Sequence, residues 1–211
     1  MGFQTIVDMI GSAVIFGWLF LVTLFAKQAN QEDLQVNQGE LLCQQNMVEL
    51  TNTLEYDFRK IGYCAEPSRL PNPTLAILLA DSTRIKFLTD VDNGSGPDGI
   101  VDSLYYYLGT PGGMMNNANT CILYRVVDTQ PALGSNLGVT SFKLTYYDQF
   151  NNVIPTPVPQ AKLQNIYSIQ ISLSVQNVVA SALAATAPVN QQFQTAFYQQ
   201  RRLATVNYLN R

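Results

Sequence analysis

The amino-acid sequence predicts an α+β fold, in which a long N-terminal helix spans a membrane with its first half and packs with its second half on an antiparallel β-sheet. Three observations support this prediction. Residues 9–26 carry no charge, no proline occurs before Pro67, and short strand-like runs separated by Gly, Pro, Asn and Asp follow Pro67. The 211 residues therefore divide into a transmembrane segment at 1–27, an amphipathic helical segment at 28–62 and one β-rich head at 63–211.

The first segment has the length and polarity of a membrane-spanning helix. At about 1.5 Å per residue, the uncharged run crosses most of a hydrocarbon core about 30 Å thick. No Lys or Arg precedes the run and no Ala-x-Ala site ends it, so we expect it to be retained rather than removed as a secretory signal. Asp8 is the only charge before the run. It is expected either to meet a partner or to lie in the headgroup layer, where it suits the helix dipole.

The second segment continues the same helix and carries an apolar stripe. Leu34, Leu41 and Val48 recur every seven residues. Further apolar residues follow at three- and four-residue steps, namely Met47, Leu50, Leu54, Phe58 and Ile61. We expect these residues to form one stripe that lies on the head. Gly62 is expected to end the helix, which the sequence places at residues 3–61.

Beyond Pro67 the sequence predicts strands rich in β-branched and aromatic residues. In two of them apolar and polar residues alternate, which indicates a sheet with one buried face. The predicted strands are 74–79, 84–88, 103–108, 121–127, 139–147 and 166–175, with a loop or short helix at 180–187 and a closing strand within 197–210.

The composition argues against several classes of function. The chain has no histidine, the commonest general base and metal ligand. Its net charge is −3 without a basic cluster, so no nucleic-acid partner is expected. Glu55, Asp128 and Asp148 fall on separate elements without a catalytic motif, and no nucleophile elbow or phosphate-binding loop occurs, so we expect no enzyme. Tyrosines 105–107 and 146–147 are interpreted as strand residues, with a sugar-stacking patch as the alternative.

The three cysteines allow two interpretations. Cys43, Cys64 and Cys121 are either small buried side chains or, in an exported protein, one disulfide and one free thiol. The preferred pair is Cys64 with Cys121, because both lie in the head while Cys43 falls on the helix. No CxxC motif occurs to indicate zinc or thioredoxin-like chemistry.

An aspartate-rich string at 90–102 offers the sharpest local chemistry. Carboxylates alternate there with glycines, so that a short loop can direct several oxygens to one point, and calcium takes six to eight oxygen ligands. The candidate calcium ligands are Asp90, Asp92, Asn93, Asp98 and Asp102. No glutamate occupies the last ligand position of an EF-hand. The alternative is a polar hairpin turn, in which Asp, Asn and Gly serve the backbone geometry.

Five strings, in chain order, resemble one family. Asp57-Phe-Arg-Lys-Ile-Gly-Tyr63 resembles the DLRRAGY string that closes the long helix of PilW-type minor type IV pilins and J-type pseudopilins. SLYYYL at 103–108 with CILYR at 121–125 is similar to their ITYYL…LYR strand pair. VTSFKLTYYD at 139–148 with LQNIYSIQI at 163–171 resembles their VxxFxxxYxD…LxxIRxVxI strands, and TVNYLN at 205–210 resembles their VxLRN ending.

The resemblance implies a structural subunit of a type IV pilus-like or pseudopilus filament. Such a subunit is held in the inner membrane before assembly and then assembles with other pilin-like subunits into an extracytoplasmic or cell-surface filament. Gly2-Phe3 resembles the junction that prepilin peptidase cuts before the Phe. The family's glutamate at the fifth mature position falls on Val7, and Asp8, one residue later, is expected to act in assembly with Phe3. The alternative is a membrane-anchored ligand-binding protein that does not polymerise.

Overall fold

One long helix, eight strands and three short 3₁₀ helices form the described part of the chain, which in this computed structural model comprises residues 2–92, 96–112, 120–176 and 196–204. The α+β fold class is therefore confirmed. The elements are α1 (Gly2–Arg59), β1 (Ile77–Ala80), β2 (Arg84–Thr89), β3 (Asp102–Leu108), β4 (Cys121–Val127), β5 (Leu133–Tyr147), β6 (Val153–Ile154), β7 (Ser168–Gln176) and β8 (Ala196–Ala204).

Helix α1 runs unbroken for 58 residues, about 87 Å at the standard rise. It ends close to the predicted residue, because the chain tightens there and Gly62 adopts a left-handed φ of 74°. The Gly62 N–H then donates to the carbonyl oxygen of Leu88 at 3.0 Å, and so the helix end is joined to the sheet.

The sheet has the order β1-β2-β3-β4-β5-β7-β8, with β6 paired to β5, and every pairing is antiparallel. Strand β5 is bent. Its first part pairs with β4 and its second part with β7, and the register shifts near Gly138, whose φ is 76°. A Cβ at Gly138 would overlap the carbonyl oxygen of Gln176. The bend therefore requires glycine for two reasons, the positive φ and the lack of space for a side chain.

The core lies between the sheet and one face of the second half of α1. The buried apolar helix residues are Cys43, Met47, Leu50, Leu54 and Phe58, together with Ile61 just beyond the helix. Burial of each large apolar side chain contributes about 2 kcal/mol. Phe58 packs edge-on against Phe87 of β2 and lies against Tyr106 of β3, so its ring joins the helix to two strands.

The single stripe predicted for α1 is wrong in its first part. Leu34, Leu41 and Val48 are all more than half exposed. Leu41 and Val48 each lie two residues from a buried position, about 160° around the helix, so they point away from the sheet. The residues at seven-residue spacing and the residues at three- and four-residue steps thus lie on two different faces of α1. The head covers only the second of these faces.

The contacts of α1 define the two ends of the head. Cys43 Sγ donates to the carbonyl oxygen of Val175, whereas Glu55 pairs with Arg201, which lies beside Ile171 in the sheet. Strand β7 therefore runs from Ser168 toward the apolar half of the helix. We call the end near Val175 proximal, and the end near Ser168, farthest from that half, distal.

Strand boundaries differ from the prediction mainly at β5 and β1. Strand β5 begins at Leu133 rather than at residue 139, and β6 was not predicted. Pro73 and the side chain of Asn72, which accepts from the Thr74 N–H, hold residues 73–75 in a 3₁₀ turn, so β1 begins only at Ile77. The closing strand is β8, and the rest of its predicted range, 205–210, lies outside the described residues, as does the predicted loop or helix at 180–187.

Candidate functional site

The first half of α1 is a candidate assembly surface. Residues 2–31 are long and apolar enough to cross a membrane, and no residue of the most apolar stretch is buried. The exposed aromatic side chains there include Phe16, Trp18, Phe20 and Phe25. A strip of this length and polarity requires lipid or other apolar helices around it.

The two predicted assembly residues both lie on this segment. Phe3 is 83% exposed, and Asp8 is also exposed. Five residues separate them, about 140° around the helix, so they belong to different faces. Asp8 makes no ion pair with any residue in the described ranges. Gly2, the other residue of the predicted processing junction, begins the helix.

A buried ion pair, absent from the sequence analysis, joins the end of α1 to the sheet. Arg125 Nε donates to Asp57 Oδ2 at 2.7 Å, and the Tyr106 hydroxyl donates to the same oxygen at 2.5 Å. Asp57 is only 4% exposed. Burial, and then the neighbouring Asp57 charge, raise the Tyr106 pKa well above its usual value, so the phenol stays protonated and keeps donating. Tyr106 and Arg125 follow Asp57 by 49 and 68 positions, and the three residues lie on three different elements. The one signal in the sequence that connects them is that each lies in a string that resembles the family.

The predicted calcium ligands occupy a hydrogen-bonded loop at the distal end. Asp90 is fully buried, and its carboxylate accepts from the backbone N–H groups of Ala65 and Gly99 at 2.9 Å and of Asp98 at 3.1 Å. These bonds tie the chain after α1 to the loop. Asp90 thus already has strong partners inside the protein.

The other carboxylates of the loop also accept backbone N–H groups. Asp92 accepts from Gly96, Asp98 from Ile100, and Asp102 from Val91. Asn93 lies outside the described residues. Within the described ranges, no cluster of three or more carboxylates or thiols is close enough to hold a metal ion. Calcium binding by the loop therefore stays a prediction. Burial is the main cause that raises the pKa of Asp102, with Asp128 beside it adding to the rise.

The three carboxylates considered for catalysis stay apart. Glu55 pairs with Arg59 and Arg201, Asp128 accepts from the Ser103 N–H at 2.6 Å, and Asp148 holds a turn after β5. Each carboxylate thus has a local structural partner.

The cysteines are buried free thiols, and the preferred disulfide is not formed. Cys64 lies at the distal end, where its Sγ donates to the Gly99 carbonyl oxygen. Cys121 begins β4 and pairs with Val139, which pairs in turn with Val175 at the proximal end. The predicted pairing of Cys64 with Cys121 is wrong for this fold, because the two residues lie at opposite ends of the head.

The tyrosines divide between the two faces of the sheet. Tyr106 and Tyr146 are buried in the core. Tyr105, Tyr107 and Tyr124 stack on the other face, with ring centroids 5.0 and 4.9 Å apart. The structure therefore confirms the preferred interpretation, in which these tyrosines are strand residues divided between the core and the surface.

A cleft opens at the distal end, between the turn after β5 and the short 3₁₀ helix at Gln160–Asn165. Its volume is about 290 Å³, and a neighbouring cleft of about 190 Å³ shares Asp148 and Asn165 with it. The Asp148 pKa is lowered mainly by the hydrogen bond from the Asn152 side chain and then by that from its backbone, so the carboxylate stays charged.

The similarity of this chain to known proteins is structural and of low level. No protein-family model and no curated protein matches the chain. Among solved structures, a type IV-like pilin from Thermus thermophilus is similar with a TM-score of 0.45 and 10% sequence identity, over 78% of this chain and 97% of that chain. A likeness at this level does not bear on function, which has to be argued from the chain's own residues.

Proposed function

We propose that this chain is a structural subunit of a type IV pilus-like or pseudopilus filament, held in the polymer by its N-terminal helix. The strings in 57–63 and in β3 to β5 that resemble PilW-type minor pilins and J-type pseudopilins support the position of a minor subunit. The chain would wait in the inner membrane and then join other pilin-like subunits in an extracytoplasmic or cell-surface filament.

The observation that carries this proposal is the exposed apolar half of α1. It reaches from Phe3 to Ala26 with Asp8 as its single charge, about 36 Å of helix, which is enough to cross a hydrocarbon core about 30 Å thick. It also continues without a break into the half that carries the head. A tethered binding protein needs only an anchor and a flexible linker. A filament subunit needs the head fixed to the packing helix, because the helix then sets where each head lies.

Asp8 fits the same proposal. A carboxylate within an apolar helix is costly in lipid unless it meets a partner. A cationic partner in a helix bundle offsets that cost. Cleavage between Gly2 and Phe3 would supply such a partner, because the new N-terminal amine of a neighbouring subunit is positively charged.

The test is assembly in the native host, followed by electron microscopy of sheared surface fractions and mass spectrometry of the N-terminus. Wild type is expected in filaments with Phe3 as its first residue. Asp8→Ala should reach the membrane at the normal level and lower the filament yield by about tenfold, a loss of about 1.4 kcal/mol per contact. The matched control is Asp33→Ala, which removes an exposed carboxylate from the same helix beyond the apolar half and should leave the yield unchanged.

Two results would contradict the proposal. One is a wild-type chain that stays in the membrane as a monomer under conditions in which the host makes filaments; this would favour the non-polymerising binding protein. The other is fibre formation by a chain lacking residues 1–26, since assembly would then not depend on the apolar helix.

A further inference from the structure

We propose that the distal end of the head carries a binding cleft for neutral carbohydrate, formed by the turn after β5 and the end of the 3₁₀ helix. This inference does not depend on filament assembly, because the cleft lies wholly within one head. The residues used in the argument are Asp148, Gln149, Phe150, Gln164, Asn165 and Tyr167.

The cleft faces away from the membrane-like half of α1. Tyr147 pairs with Ser168 at the distal end of the sheet, and the Tyr167 N–H donates to the Tyr147 carbonyl oxygen at 2.8 Å. The turn that follows Tyr147 therefore projects beyond the sheet. The cleft thus lies at the end of the head that is farthest from the apolar half of α1.

Two aromatic rings border the cleft. Phe150 is 76% exposed at the tip of the turn, and Tyr167 is 40% exposed on the opposite wall. Most of the Phe150 ring is therefore open to a ligand. The C–H face of a pyranose ring is apolar, and packing it on an aromatic ring removes both surfaces from water.

The polar lining suits hydroxyl groups. Gln149, Gln164 and Asn165 each offer an amide that donates and accepts, and these side chains make no hydrogen bond with any residue in the described ranges. A sugar hydroxyl also donates and accepts, so such amides match it in either orientation. Asp148 adds a charged acceptor, which repels acidic ligands and favours neutral ones.

The neighbouring cleft gives the site room for a second sugar unit. It shares Asp148 and Asn165 with the first cleft, and Lys162 and Val153 also line it. The volumes of about 290 and 190 Å³ together reach the range of roughly 300 to 1,000 Å³ that ligand pockets occupy. Lys162 lines this second cleft and not the first, in whose lining Asp148 is the charged residue, so the first cleft keeps its preference for neutral ligands.

The turn is held in place before any ligand arrives. Asp148 Oδ1 accepts from the N–H groups of Phe150 and Asn152 at 2.9 and 2.8 Å, and Asp148 Oδ2 accepts from the Asn152 side chain at 3.0 Å. Asn151 takes the left-handed φ of 66° that the turn requires. Binding therefore does not have to order the loop that presents Phe150.

The experiment uses the full chain in a zwitterionic detergent without a sugar headgroup, because alkyl glycosides would compete for the cleft. Saturation-transfer NMR with lactose, maltose and N,N′-diacetylchitobiose gives binding and the ring protons in contact. An array that carries neutral and sialylated glycans gives the preference. At least one neutral probe is expected to bind with a Kd of about 1 mM, typical for a few contacts, while sialylated forms bind less.

Variants assign the binding to the cleft. Phe150→Ala and Asn165→Ala should each raise the Kd at least about tenfold, or about 1.4 kcal/mol. The matched control is Tyr198→Ala, because Tyr198 is a 64% exposed aromatic residue on β8, outside the cleft. It should leave the Kd unchanged, and all three variants should keep the wild-type Tm.

The inference is overturned if no neutral glycan on the array binds. It is also overturned if Phe150→Ala and Asn165→Ala bind as wild type does, since the ligand would then lie elsewhere, or if sialylated glycans bind better than their neutral forms. Loss of binding in the two cleft variants with an unchanged Tm supports it whether or not the chain forms filaments.

Discussion

Replacement of Asp57 by Asn tests what holds the helix to the head. The substitution keeps the shape of the side chain and removes its charge. Arg125 then loses its carboxylate, and the Tyr106 hydroxyl keeps only a neutral acceptor. Because the Asp57 and Arg125 side chains are 6% and 25% exposed, water replaces the lost partner only in part.

The expected cost follows from that burial. Breaking a buried ion pair by removing one partner costs about 3 to 5 kcal/mol. Arg125 keeps some access to water, so we expect the lower end, about 3 kcal/mol in the free energy of unfolding. For a chain of this size, 1 kcal/mol corresponds to roughly 2 to 4 °C in Tm, so the Tm should fall by roughly 6 to 12 °C.

A matched control separates the effect of burial of an ion pair from the effect of the distance between its atoms. Glu66 and Arg69 form an ion pair with the same 2.7 Å separation, but their side chains are about half exposed, at 53% and 52%. Exposed pairs contribute between about 0 and 1 kcal/mol. Glu66→Gln should therefore leave the Tm within about 2 °C of wild type. Thermal and urea unfolding of the full chain in detergent micelles, followed by near-UV circular dichroism, measures both variants.

A double-mutant cycle completes the test. Asp57→Asn combined with Arg125→Met should cost less than the sum of the two single changes, because the second change no longer leaves an unpaired charge. Equal losses for Asp57→Asn and Glu66→Gln, or strict additivity in the cycle, would refute the reasoning and reduce the pair to an ordinary surface contact.

Four further predictions use the same unfolding measurement or simple chemistry. Gly138→Ala should destabilise the protein by more than about 2 kcal/mol, since φ is positive and the Cβ overlaps backbone, whereas Gly112→Ala, with positive φ but open space, should cost about 1 kcal/mol; equal losses would contradict this. All three thiols should react with Ellman's reagent only after unfolding, and non-reducing peptide mapping should find no disulfide within the chain. Calcium binding by the aspartate loop requires millimolar calcium to raise the Tm and Asp92→Ala to abolish the rise, because the ion binds only the folded state; an unchanged Tm would leave the loop as a turn. Asp81 has a lowered pKa, caused first by the Ser82 N–H, so its stabilisation is present above the usual carboxyl pKa of about 3.9 and disappears as the pH falls below it; Asp81→Asn should flatten that acid limb of the Tm profile.

Sequence patterns predicted a helix or strand well where the residues of that segment alone determine its conformation. The alternation around Phe142 and Leu144 reflects a strand with one covered face, and those residues are indeed buried. The bounds of β4 agree with the prediction, and four of its seven residues, Ile122, Tyr124, Val126 and Val127, are β-branched or aromatic. Gly62 ended the helix as predicted, since only a residue that tolerates positive φ serves that turn.

The errors came from features that no local pattern contains. Leu41 and Met47 both suit an apolar stripe, and only the position of the sheet decides which of them is covered. Cys64 and Cys121 belong to one head, yet strand direction puts them at opposite ends. The ion pair of Asp57 with Arg125 joins residues 68 positions apart, and two separate segments form the distal cleft. Each of these depends on topology, which single strings do not encode.

The attachments between α1 and the sheet have a mechanical consequence under the proposed function. They lie at successive levels along the helix, with Cys43 on Val175, Thr51 on Gln199, Asp57 on Arg125 and finally Gly62 on Leu88. Tension in a filament would pull on the helix and be resisted by the head along the helix axis, so these contacts would be loaded together in shear rather than one after another. The ion pair stands near the distal end of this series and carries its share of that load at the last turn of the helix. A subunit that only anchored a binding domain would not need such a distributed attachment. Loss of Asp57 should therefore weaken sheared filaments more than it lowers their assembly, and the length of filaments that survive shearing, compared with total filament mass, separates the two effects.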